Sequence, residues 1–123
     1  MKRPELVAYR VRATARRPDG GEIPLGGWVS YSPGGAVAWM RRRAVQVAQQ
    51  VGAPYDGAVR AWLRDPAEQD GAREALVAGV GVTVRAVDAY GCLYTVAVRP
   101  ERPAERERPR VRRGREAAAW SGV

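Results

Sequence analysis

The sequence predicts an α+β fold: a small antiparallel sheet of four to five strands with one long helix packed on a face, plus an extended basic C-terminal tail. Three observations carry that expectation. Residues 6–16 alternate apolar and polar side chains with period two, residues 33–51 repeat apolar side chains at helical spacing, and two further alternating runs between residues 82 and 99 flank a short turn. At 123 residues the chain has the size of one domain. Composition changes at Pro100, which divides it into a single α+β domain over 1–100 and an Arg/Pro/Glu-rich tail over 101–123.

In the first strand Val7, Tyr9, Val11, Ala13 and Ala15 share one face, while Arg10, Arg12, Thr14 and Arg16 share the other. Pro18-Asp19-Gly20-Gly21 is a turn, since Pro presets φ and Gly accepts positive φ. A return strand follows around residues 27–31, with Pro24, Gly26 and Gly27 making its approach irregular or an edge. Ser32-Pro33 then reads as a cap and first helical residue. Val37, Met40, Ala44, Val47, Ala48 and Val51 form the apolar stripe of a helix over 33–51, and Gly52 stands at its end.

Residues 58–64 fit two readings. Val59, Ala61 and Leu63 alternate as in a strand, whereas Val59, Trp62 and Leu63 fit one face of a helix. Asp65-Pro66-Ala67-Glu68 opens a short helix that Gly71 weakens and Gly79 ends. Strands at 82–87 and 93–99 flank Asp88-Ala89-Tyr90-Gly91, a hairpin loop with Gly where positive φ is needed.

The tail has a single aliphatic residue larger than Ala between 101 and 116, with two prolines and many charges. By itself it buries too little apolar surface to offset its chain entropy, and is expected to be disordered unless bound. Trp120 ends it as an apolar hook. Within it, Arg110-Val111-Arg112-Arg113-Gly114-Arg115 resembles an AT-hook through Arg113, Gly114 and Arg115, without the usual flanking prolines. That resemblance implies contact with the minor groove of A/T-rich DNA. The order strand, Pro-Asp-Gly turn, strand, Ser-capped helix over the first 45 residues is also similar to the small arm-binding domains of phage-type integrases, in pattern and not in motif.

Composition excludes much chemistry. The chain has no His and one Cys, so His-assisted nucleophilic catalysis and Cys/His metal sites are absent, and no Gly precedes a Lys as a phosphate loop requires. Cys92 reads as a small buried hydrophobe, and Asp65, Glu68 and Asp70 as a capped helix start and not a metal site. With one Cys, no secretory leader and no run of ~20 apolar residues, the expected setting is cytoplasmic, with no membrane span and no cofactor.

The 21 basic residues are all Arg but for Lys2, and against 13 acids they leave +8. Such a balance attracts polyanions. The expected function is therefore non-enzymatic binding of nucleic acid, DNA or RNA, as an accessory factor or regulator. The candidate contacts are Arg10, Arg12 and Arg16 on the first strand and Trp39, Arg42 and Arg43 on the polar side of the long helix. Arg110, Arg112, Arg113 and Arg115 in the tail complete the set. The alternative is a structural or adaptor subunit of a larger assembly, such as a virion or secretion machine. Its tail would dock on a neighbouring subunit through Trp120, by partner binding or self-association.

Overall fold

In the computed structural model the described residues are 6–102. The elements run β1 (Ala8–Arg16), β2 (Glu22–Ser30), α1 (Pro33–Val51), α2 (Gly57–Arg64), α3 (Pro66–Val77), β3 (Val82–Val87) and β4 (Leu93–Glu101). The two hairpins meet through their outer members, so that the four-stranded antiparallel sheet has the order β2-β1-β4-β3. The sheet runs one residue past the expected boundary at 100, since the buried Glu101 belongs to β4; residues 103–123 of the tail, with Arg110, Arg112, Arg113, Arg115 and Trp120, lie outside the described residues.

Alternation in β1 decides the layers. Tyr9, Val11, Ala13 and Ala15 stand opposite Pro100, Val98, Val96 and Tyr94 of β4 and turn toward the helices. Helix α1 meets them with Val37, Met40, Ala44, Val47, Ala48 and Val51, whose small alanines let the helix approach closely. Helix α2 adds Val59, and α3 adds Ala72 and Leu76. All three helices thus lie on one side of the sheet, and among the described residues the other side carries none.

Caps and turns are local. The Ser32 hydroxyl accepts from the Gly35 N–H at 3.0 Å, at the start of α1. In the β3–β4 turn, one Asp88 carboxylate oxygen accepts from the N–H groups of Tyr90 and Cys92, at 2.9 and 3.0 Å. Gly91 takes φ +82° beside them, the left-handed region that its lack of a Cβ permits.

One open reading of the sequence is decided and two expectations are revised. Residues 58–64 form a helix, which settles the sheet at four strands. Strand β2 begins at Glu22 and reaches Ser30, because a bulge between its Ala13 and Thr14 pairings absorbs Leu25. Cys92 is half-buried beside the core and not enclosed by it.

Candidate nucleic-acid interface

The helix-free face of the sheet is built by cross-strand register. Arg10 stands directly opposite Arg99, Arg12 opposite Ala97, Thr14 opposite Thr95 and Arg16 opposite Leu93. On the far side of β4, Thr83 pairs with Ala97 and Arg85 with Thr95. On the near side β2 offers Val29, Gly27, Pro24 and Glu22. Directly opposed residues of antiparallel strands share a face. Arg10, Arg12, Arg16, Arg85 and Arg99 therefore project from one surface, against two acids, Glu22 and Glu101.

Arg10 and Arg99 would repel each other in this register, and Glu101 offsets that repulsion. Its buried carboxylate accepts from Arg10 Nε at 2.7 Å and lies 3.8 Å from the Arg99 guanidinium. No ion pair of the described residues involves Arg85, which is exposed. At the centre, Thr95 and Ala97 are buried, flanked in register by the long stems of Arg85 and Arg12.

No aromatic side chain shares this face among the described residues. Tyr9, Tyr94 and Trp28 have the opposite parity, Trp39 and Trp62 belong to the helices, and Tyr31, Tyr55 and Tyr90 lie in connections. The polar character of the face comes from guanidinium and hydroxyl groups with two carboxylates, and Val29, Leu93 and the exposed Val87 supply apolar surface toward its margins.

The helix candidates separate from it and from each other. Trp39 lies in the core at 8% exposure, not on the polar side of α1. The Arg43 guanidinium lies 4.8 Å from its ring centroid and donates to Gln46 Oε1 at 2.9 Å. It also fills the space a side chain would need at Gly26, whose φ of +139° already favours glycine. Arg43 is thus a strut between α1 and the β2 edge. Arg42 is exposed on α1 and faces a groove beside α3.

Comparison with protein-family models, curated proteins and solved structures finds no match to this chain. What the surfaces can do rests on their own chemistry.

Among the described residues no group of three or more metal-ligating side chains gathers, and no helix is long and apolar enough to cross a membrane. Two of the three acids considered for a metal site, Asp65 and Asp70, have other partners. Asp65 caps α3 by accepting from the Ala67 N–H at 3.0 Å, and Asp70 pairs with Arg73. The Arg60 guanidinium, 2.5 Å away, holds the Asp56 carboxyl below its ordinary range. Two contributors to the basic face, Arg85 and Arg99, were missed at the sequence level. Arg85 alternates with Val82, Val84 and Ala86, which marked its face, but the strand order that brings it beside β1 leaves no local signal.

Proposed function

We propose that this protein binds nucleic acid through the helix-free face of its sheet, as a non-enzymatic accessory factor or regulator. One observation carries the reading: Arg10, Arg12, Arg16, Arg85 and Arg99 share one face, in register, against two glutamates. Guanidinium groups bond phosphate oxygens bidentately, and threonine hydroxyls add donors between them. The lack of aromatic side chains on that face argues for a duplex. Single strands are held chiefly by base stacking on aromatic rings, worth about 1–3 kcal/mol per base, and among the described residues this face offers no such ring.

Binding of this kind is read by its salt dependence. Each phosphate contact contributes about 0.9 to the slope of log affinity against log salt on B-form DNA. The titration measures wild type, Arg12→Ala and Arg16→Ala against labelled duplex and single-stranded DNA of equal length. Each substitution is expected to lower the duplex slope by about one, with the duplex bound more tightly than the single strand. Slopes that stay at the wild-type value would remove the sheet face from the reading.

A second reading, an adaptor subunit in a larger assembly, draws on strand β2. It is an edge strand exposed along most of its length, and it carries Ile23, Leu25 and Trp28 with Tyr31 just beyond, all counted among the exposed large hydrophobics. Unprotected strand edges of this kind pair with other chains.

A further inference from the structure

The helix layer carries a second surface of different chemistry. Between α1 and α3 runs a groove of about 440 Å³. Arg41, Arg42 and Arg73 stand on its rim, and Val37, Ala38 and Val45 supply apolar lining. We propose that this groove docks an acidic amphipathic helix of a protein partner.

Val37, Ala38 and Val45 give this arginine-lined groove an apolar share that favours a partner with apolar side chains. Val45 is 40% exposed on the outer side of α1, with Ala38 exposed two turns earlier and Gly34 one turn before that. A sugar-phosphate chain has no apolar stripe to cover such a floor, whereas an amphipathic helix places side chains into it at i, i+3, i+4 and i+7. Gly34 and Ala38 have little or no side chain, which lets a second backbone come close. Nearby, Val77 follows Arg73 by one turn of α3 and is 72% exposed, and Val80 beyond it is also exposed.

The rim sets the sign of the partner. Arg41 is tethered at the end of α2, donating weakly to the Leu63 carbonyl at 3.5 Å. Arg73 pairs with Asp70, so it contributes little net charge. No ion pair or hydrogen bond of the described residues involves Arg42, which leaves its guanidinium available to a carboxylate. The acids of α3 that share this neighbourhood are Asp70 and Glu74, and only Asp70 is tied into a pair. Glu74 would oppose an acidic partner from its own side, so the carboxylates of the docked helix belong toward Arg41 and Arg42. Gln69, itself buried, spends its amide N–H groups on the carbonyls of Trp62 and Leu63, which fixes the α2–α3 corner at the base of the groove.

The test uses the full chain and two labelled synthetic helices, one with Leu at i, i+4 and i+7 flanked by Glu, the other identical but with Lys for Glu. Anisotropy is expected to show the Glu peptide bound and the Lys peptide not. Val45→Glu and Arg42→Glu should each weaken the Glu peptide about tenfold or more, while Arg42→Glu should gain affinity for the Lys peptide. Ala38→Glu gives a second block at an exposed helix site should Val45→Glu fail to fold by circular dichroism. Failure of the Glu peptide to bind, equal binding of the Lys peptide, or indifference to these substitutions would overturn the proposal. So would displacement of the Glu peptide by duplex DNA from a protein already mutated at Arg12 and Arg16, because the groove would then belong to a polyanion surface. Duplex binding by Val45→Glu is a separate readout, so this proposal and the sheet-face reading can fail independently.

Discussion

Tyr94 shows how much one side chain's setting can say about the molecule. It stands on β4 with its ring in the core, and its hydroxyl donates to Asp88 Oδ2 at 3.3 Å. Burial, and then the nearby Asp88 charge, raise its pKa above the ordinary tyrosine value of 10.0. A group whose folded pKa is raised stabilises the fold fully below its unfolded value and loses that contribution as pH climbs through the folded value. The melting temperature of the wild type is therefore expected to drop above pH 10. In Tyr94→Phe the drop should be shallower, since no buried phenolate has to form. Parallel curves for the two proteins would place the alkaline loss elsewhere. Residue-level reading of the sequence was less successful at Trp39. Its position suggested the polar side of α1, but Arg43 stacks on its outer face and lets a large ring sit at the boundary as core. Only the tertiary neighbour distinguishes the two placements.

Among the elements, α2 is where sequence periodicity ran out. Over seven residues, alternation and helical spacing both place Val59 and Leu63 inward, and only Ala61 and Trp62 separate the two patterns. The structure resolves it at the corner that follows. Asp65 ends α2, with its N–H on the Trp62 carbonyl, and caps α3 through its side chain. Gln69 then reaches back to the last carbonyls of α2. Asp65 thus serves two helices, and Asp65→Ala is expected to cost about 1 kcal/mol, as loss of a cap usually does. For a domain of this size that is a fall of roughly 4–8 °C in melting temperature. Asp65→Asn or Asp65→Ser should recover most of it, because either side chain still accepts from the Ala67 N–H. An Ala variant that melts with the wild type would show that Pro66 and the Gln69 bonds hold the corner without the cap. The other helix starts and turns were legible because Ser32-Pro33, Asp65-Pro66 and Asp88–Gly91 combine a fixed φ with a local acceptor. Such signals need no distant partner.

At the scale of the whole molecule, what the sequence did not reveal is register. The alternation of β1 showed that Arg10, Arg12 and Arg16 share a face, but it could not show that Arg99 and Arg85 join them. That depends on β4 pairing with β1 across more than eighty residues of chain. Equally hidden was the split of the helix arginines, with Arg43 used as a strut and Arg42 on a groove. The consequence for charge is general. With no histidine in the chain, no side chain of ordinary pKa titrates between about pH 6 and 8, so the arginine-rich face keeps its charge across that range. If phosphate contacts by guanidinium groups carry the interaction, duplex affinity and its salt slope should both stay constant from pH 6 to 8 at fixed ionic strength. A titration by anisotropy, with circular dichroism at each pH to establish that the chain remains folded, gives both readings. A marked change between pH 6 and 8 would mean that a group of shifted pKa gates binding. Guanidinium contacts alone would then not account for recognition of the duplex.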